Sequence, residues 1–232
     1  MQPSIIIDVQ GLRYRYPDGT LALDGVDFQL QDGETAALLG ANGSGKTTFV
    51  LHLNGLISGE GRIEVCGLEM NKHNLAAIRR KVGMVFQDSD EQLFMPSVLE
   101  DVAFGPMNQG IAAAQAALQA RGALQLVGMI HAAHKAPYHL SAGEKRRVAL
   151  AGVLVMNPSV LVLDEATTFL DPPGQRELVA LLKRLPQGKI IVTHDTSFAR
   201  ALATRAVFFN KGKIAGEGSV DHIVQRFGWH AD

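Results

Sequence analysis

The run Gly40-Ala-Asn-Gly-Ser-Gly-Lys-Thr47 places glycines, a lysine and a hydroxyl in the pattern GxxxxGK[ST]. These residue types suit a polyphosphate. Glycines let backbone N–H groups wrap an anion that side chains at those positions would hold at a distance. Lys46 sets a cation against the β and γ phosphates, and the Thr47 hydroxyl is offered to Mg²⁺. A helix expected to begin near Lys46 points its partial positive charge at the same anion. Gly40, Asn42, Gly43, Ser44, Gly45, Lys46, Thr47 and Thr48 are therefore the candidate nucleotide-binding residues, with ATP and Mg²⁺ as the expected ligands.

Further candidates sit at the ends of apolar runs. Val160-Leu-Val-Leu-Asp164-Glu165 reads as a strand delivering two acids at its C-terminal end, where α/β sheets bind ligands. Asp164 is expected to hold Mg²⁺. Glu165 is expected to act as general base on the attacking water, a role worth roughly 10²–10⁴-fold. Gln87 follows the run Val82–Phe86, and His194 follows Lys189–Thr193. A glutamine there can join Mg²⁺ to the attacking water, and a neutral histidine can contact the γ phosphate. The catalytic candidates are thus Glu165, His194 and Gln87, and the metal candidates Thr47, Gln87 and Asp164.

One motif does not fit a single site. In Leu140-Ser-Ala-Gly-Glu144, Ser141 reads as a helix N-cap with Glu144 as its capping-box partner. The same serine, with Gly143 and a helix N-terminus, also makes a second anion cradle. One nucleotide is not easily held by two such cradles in one subunit.

These residues need a frame. Thr35–Leu39, Val82–Phe86, Val160–Leu163 and Lys189–Thr193 are apolar on both faces of the pleat, as buried parallel strands are. Between the last two, Leu178, Leu181, Leu182 and Leu185 fall at helical spacing, and Pro186-Gln187-Gly188 stops that helix. Strand, helix, strand implies right-handed crossovers and a helix-covered parallel sheet. Ile5–Val9, Val26–Leu30, Arg62–Val65, Ala206–Asn210 and Lys213–Ala215 are short, bounded by turn pairs, and read as antiparallel strands. From about Ser97 to Asn157 no strand is expected, and Ile111–Ala123 reads as a helix. The expected fold class is α/β: a P-loop NTPase core with an antiparallel β subdomain and a helical subdomain. The chain, 1–232, is read as one domain, with the helical subdomain inserted at roughly 88–157.

Bulk properties narrow the partners. The net charge of −1 argues against a chain built to coat a polyanion, so no nucleic-acid partner is expected. The basic runs Arg79-Arg80-Lys81 and Lys145-Arg146-Arg147 read by default as solvated helix faces, less firmly for the second. Cys66 is the single cysteine, which excludes an intrachain disulfide framework. No signal peptide is visible, and no apolar run approaches the roughly 20 residues of a membrane span, so a soluble, cytoplasmic chain is expected. His73, His131, His134 and His139 are irregularly spaced and do not read as metal ligands.

The ordered set of motifs resembles the nucleotide-binding domain of ATP-binding cassette (ABC) proteins over nearly the whole chain. The resemblance implies that Tyr16 stacks on adenine and that Gly40–Thr48 is the Walker A loop. It makes Gln87 the Q-loop glutamine, Leu140–Glu144 the signature, Asp164 and Glu165 the Walker B pair, Leu170-Asp171 the D-loop and His194 the switch histidine. In that family two domains pack head to tail, so Ser141 and Gly143 would meet a γ phosphate bound by the partner, which is a second copy or a close paralogue. Phe86-Gln-Asp-Ser-Asp-Glu-Gln-Leu-Phe94 with Val102–Pro106, Arg15–Gly19 and Lys145–Ala149 is similar to the ATPases of energy-coupling-factor importers. That implies an integral membrane coupling protein, a substrate-capture membrane protein and a peripheral place on the cytoplasmic face of the membrane. Thr167–Pro173 and the short C-terminal tail look like the cobalt/nickel branch. The alternatives are a vitamin-type importer of the same group, or a soluble ABC ATPase of the DNA-repair type, whose long coiled coil has no counterpart in the heptad-free interval here. Three departures from the family pattern stand out: Ala142 for a signature glycine, Ala166 for a proline and Phe169 for a small D-loop residue.

Overall fold

The computed structural model describes residues 4–88, 92–168 and 170–229. Phe169 and the middle of the Phe86–Phe94 motif (Ser89, Asp90 and Glu91) lie outside the described residues.

A six-stranded sheet carries the site, in the order β10-β9-β3-β8-β7-β6. Its members are β3 (Thr35–Leu39), β6 (Val82–Val85), β7 (Val160–Asp164), β8 (Gly188–Val192), β9 (Arg205–Asn210) and β10 (Lys213–Gly218). All but β10 run parallel: β3 pairs with β8 and β9, β7 with β6 and β8. The doubly apolar runs become central strands because each face packs on a different core. Val160 and Val162 of β7 join the cluster shared with the second sheet, while Leu161 and Leu163 face the helices on the other side. Side chains of period two meet two cores, so alternation disappears from the sequence.

The second sheet is antiparallel, β2-β1-β4-β5, built from β1 (Ile5–Arg15), β2 (Leu21–Gln31), β4 (Glu60–Val65) and β5 (Leu68–Glu69). The sequence reading of two strands meets different outcomes. Ala206–Asn210 reads as antiparallel, but β9 lies parallel to β3 in the core sheet, and Lys213–Ala215 is part of the antiparallel edge strand β10. The hairpin joining β9 and β10 through Lys211-Gly212 has a genuine turn signal. Local signals describe that turn and carry no information about which strand β9 meets on its other side.

Between β6 and β7 the described chain is helical and without strands: α3 (Val98–Asn108), α4 (Ala113–Leu126) and α5 (Ala142–Leu154), with two short 3₁₀ turns between the last two. The remaining helices are α1 (Lys46–Leu53), α2 (Leu75–Lys81), α6 (Pro172–Arg184), α7 (Thr196–Leu202) and α8 (Val220–Phe227). Helix α6 starts earlier than its leucine spacing indicates, because Asp171 caps it and prolines occupy its first turn. Among the described residues no helix is long and apolar enough to cross a membrane.

Candidate active site

Strands β3, β6, β7 and β8 all end at the same sheet edge, and the loops that follow meet over one cleft of about 450 Å³. Tyr16, Asn42, Gly43, Gly45, Lys46, Thr47, Thr48, Gln87, Asp164, Glu165 and His194 line it. Residues spread over 179 positions of sequence, from Tyr16 to His194, are brought together there because parallel strands present all their C-terminal ends on one side.

The glycine loop is tightly wrapped. Gly40, Gly43 and Gly45 take φ of +136°, +74° and +109°, which only glycine adopts at little cost. A Cβ on Gly40 would collide with the carbonyl oxygen of Phe209, whereas one on Gly43 would meet open space. Gly43 is therefore needed for its backbone alone. The Ser44 N–H donates to Ala41 O at 3.1 Å, and Ser44 O accepts from Gly212 N at 2.9 Å, so the β9–β10 turn braces the loop from below. Ser44 Oγ is buried without a partner.

Lys46 Nζ donates to Gly40 O at 2.6 Å and Ala41 O at 3.0 Å. Burial pushes its pKa down, and the carboxylates of Glu165 and Asp164 oppose that shift. The ammonium thus bridges two carbonyls of its own loop.

Asp164 is buried, and burial pushes its carboxyl pKa up; the Thr47 hydroxyl bonded to it opposes the shift, and the charge of Glu165 adds to it. Its Oδ1 has no partner. A buried, unpaired carboxylate oxygen beside a hydroxyl, with the Gln87 amide in the same cleft, is a hard-oxygen donor set that fits Mg²⁺. Thr47, Asp164 and Gln87 would hold the ion, which when bound would neutralise charge on the β and γ phosphates.

Glu165 sits in the left-handed region at φ +49°, strained for a residue with a side chain by roughly 1–3 kcal/mol. Its N–H donates to Val192 O at 2.9 Å, so the end of β8 holds this conformation. His194, two residues beyond β8, places Nδ1 2.9 Å from Glu165 Oε2 but without hydrogen-bond alignment. The glutamate side chain is 13% exposed and the histidine 68%, so the carboxylate is shielded while its neighbour reaches outward.

Tyr16 follows β1 and lines the same cleft. Its hydroxyl is 2.9 Å from Thr48 Oγ1, its ring is edge-on to Tyr14, and Tyr14 is edge-on to His52 of α1. Sequence reasoning missed Tyr14 and His52. Neither belongs to a motif, and only the alternation of β1 and the turns of α1 bring them under Tyr16.

Ser141 and Gly143 lie elsewhere. They line a second cleft with Ala142, Arg146, Leu170 and Asp171, and no residue is common to the two. The capping box is formed as the sequence indicates: Ser141 Oγ accepts from Glu144 N at 3.3 Å, and Glu144 Oε2 accepts from Ser141 N at 2.8 Å. Ala142 is outside the left-handed region, so its methyl meets no backbone obstacle. In the basic run beside it, the default reading as a solvated face fails at Arg146. Arg147 bonds Glu177 on α6 at 2.8 Å, and Arg146 is buried against the end of β6. Of the scattered histidines, His131 stands 4.0 Å from Glu144 and His139 packs on Tyr138, in different places.

A phosphate loop after β3, two acids at the end of β7 with β8 between them, and a separate serine-glycine cradle define an ATPase of the ABC class. The ABC transporter family model matches residues 23–168, and the chain belongs to that family as an ATP-binding, ATP-hydrolysing transporter subunit. It is 52% identical over 213 residues to a putative ABC transporter ATP-binding protein of Streptomyces coelicolor, covering 91% of this chain and 82% of that one. It is 46% identical over 224 residues to the energy-coupling factor transporter ATP-binding protein EcfA of Methanosphaera stadtmanae, covering 94% and 81%. Among solved structures it superposes with TM-score 0.86 and 36% identity on cbiO1 of Clostridium perfringens, part of the ABC transporter complex cbiONQ, over 96% and 92% of the two chains.

Proposed function

We propose that the whole chain is one ATPase domain that works as the motor of an energy-coupling-factor importer. In this reading two copies, or this chain and a close paralogue, pack head to tail around two ATP molecules. The observation that carries it is the separation of the two clefts. Lys46, Thr47 and Asp164 sit in one, Ser141 and Gly143 in the other, and one nucleotide cannot touch both sets in a single subunit. A two-fold pairing places each signature over its partner's phosphate loop and completes both sites at once.

Within a completed site, Tyr16 stacks on the adenine and the loop 40–48 cradles the phosphates. Glu165 accepts a proton from the attacking water, oriented by Gln87, and His194 contacts the γ phosphate. Glu165 suits this role because its backbone is held by β8 while its shielded carboxylate has an oxygen committed to no hydrogen bond that hydrolysis would have to break. Ser141 and Gly143 of the other subunit close on the γ phosphate, and hydrolysis removes the group that holds the pair together. The likeness to EcfA and cbiO1 supports a membrane coupling protein and a substrate-capture protein as partners at the cytoplasmic face of the membrane. The resemblance of Thr167–Pro173 supports cobalt or nickel as cargo over a vitamin.

The test is co-expression with candidate membrane subunits, followed by ATP-dependent uptake of Co²⁺, Ni²⁺ and vitamins into vesicles. Uptake of either metal, abolished by Glu165→Gln, is expected; vitamin uptake alone corrects the cargo, and no membrane partner or uptake refutes the importer reading. For the site itself, Glu165→Gln should retain ATP binding, slow hydrolysis by roughly 10²–10⁴-fold and accumulate a dimer on size exclusion. A variant hydrolysing at the normal rate would show that the base is misassigned.

A further inference from the structure

Arg146 lies between the two clefts and serves neither of them directly. It is 4% exposed, on the second turn of α5, five residues beyond the Ser141 cap. Its stem borders the cleft of Ser141 and Gly143. Its guanidinium crosses to the end of β6, where Nη1 donates to Phe86 O at 2.6 Å and Nη2 to Gln87 O at 2.7 Å. Two donors of one planar group therefore hold two successive carbonyls of the segment that presents Gln87 to the nucleotide cleft. A buried cation costs free energy unless it is bonded, and here burial disfavours the charged form while Asp88 and Asp164 favour it. The neighbouring basic residue is used differently, since Arg147 goes to Glu177 on α6.

We propose that Arg146 is a positioning residue for ATP hydrolysis, whose guanidinium fixes the backbone at Phe86 and Gln87. It thereby ties the nucleotide-facing Gln87 to the helix that carries Ser141 and Gly143. It touches no substrate. The carbonyls it grips belong to the chain that orients the Gln87 side chain, and the helix it belongs to carries the surface offered to a partner's nucleotide. A shift of α5 on closure is passed to Gln87 through two short bonds rather than through a flexible loop. The inference rests on the proposed roles of the two clefts.

The experiment is a double-mutant cycle in the full chain, pairing Arg146→Met and Arg146→Lys with Gln87→Ala. It is read as kcat and KM for ATP well below each variant's melting temperature. Arg146→Met should lower kcat by about 10–100-fold, the scale of a misplaced catalytic group, with KM within about threefold. Arg146→Lys, which can bond one carbonyl but not grip both, should recover part of the loss. In the Gln87→Ala background the Arg146 substitutions should cost almost nothing further, because the group they position is gone. Full multiplication of the two losses would overturn the proposal, as would a normal kcat in a folded Arg146→Met. If the methionine variant does not fold, the lysine arm of the cycle decides by the same criterion. Glu165→Gln serves as the separating control. If it leaves hydrolysis unchanged, the cleft assignment itself has failed. If it stops hydrolysis while the Arg146 and Gln87 losses multiply, only the positioning role has failed.

Discussion

Acid should weaken this protein through His52 by an amount that one substitution can isolate. The imidazole is 1% exposed, its Nδ1 lies 2.7 Å from Thr48 O, and its Nε2 is buried without a partner. The carbonyl can only accept, so the neutral ring donates from Nδ1 and leaves Nε2 bare. Burial pushes the pKa down, opposed by the bond to Thr48. The folded state thus takes up a proton less readily than the unfolded chain, whose histidine titrates near pH 6.5. As pH falls below that value the unfolded chain binds the extra proton and stability drops, by up to about 1.4 kcal/mol per pH unit. Between the unfolded-chain value of 6.5 and pH 5 that slope limits the loss to about 2 kcal/mol, and the loss stops growing once the pH passes the lowered folded-state pKa. The assay is urea unfolding of the wild-type chain and His52→Gln at pH 8 and pH 5. Glutamine is neutral throughout and keeps a donor for Thr48 O. It should be less stable than histidine at pH 8, having lost the ring packed on Tyr14, and the gap should narrow or reverse at pH 5. Carboxylates common to both chains, such as Asp101 with its pKa raised by burial, cancel in the difference. A gap that stays constant, or widens in acid, would refute the reasoning.

Other perturbations test the frame of the site. Lys46→Ala should weaken ATP binding at least about 100-fold in fluorescent-nucleotide titrations, since a buried charge-assisted contact to phosphate is lost; unchanged affinity would contradict the cradle. Gly40→Ala should lower the melting temperature and abolish nucleotide binding together, because its Cβ meets the Phe209 carbonyl and φ is left-handed. Arg205→Met should cost about 1–3 kcal/mol in urea unfolding with an unchanged m-value. Arg205 holds Glu34 at 2.6 Å and Glu217 at 2.8 Å, bonds Gln29 O and lies over the Phe28 ring, joining the two sheets. A loss below about 0.5 kcal/mol would mean the sheets are held by their apolar interface alone.

The residues of the nucleotide cleft were legible because each sits in a short, chemically specific motif at a strand end. Gly40–Thr48, Asp164-Glu165, Gln87 and His194 need only the order of strands, not their tilt, to converge. Arg146 was not legible. Lys145-Arg146-Arg147 looks the same in sequence whether its members face water or backbone carbonyls, and only the crossing of α5 over the end of β6 separates them. The parallel pairing of β9 was hidden for a similar reason, its partner β3 being remote in sequence while its turn to β10 is adjacent. His52 and Tyr14 fall between these cases: their types are ordinary for a core, and their place beneath Tyr16 follows from tertiary packing.

Ser141 shows how one local device serves two purposes. Its oxygen accepts from Glu144 N and thereby stops the helix, but a hydroxyl that accepts one bond still carries a proton to donate. The Glu144 carboxylate is drawn back onto Ser141 N, and that bond keeps its pKa low, so the negative charge is held at the cap. Gly143 has no left-handed backbone to explain it, and a Cβ there would come 3.3 Å from Leu170 Cδ2. What the glycine secures is close passage between α5 and the segment at Leu170-Asp171, which borders the same cleft. A capped helix end and a closely packed neighbour would stand there in a purely structural joint as well. The difference lies in the other cleft, where the phosphate loop stands beside Asp164, one of whose buried oxygens has no partner. In the proposed head-to-tail pairing, a second copy or a close paralogue would bring its Ser141 and Gly143 to that cleft.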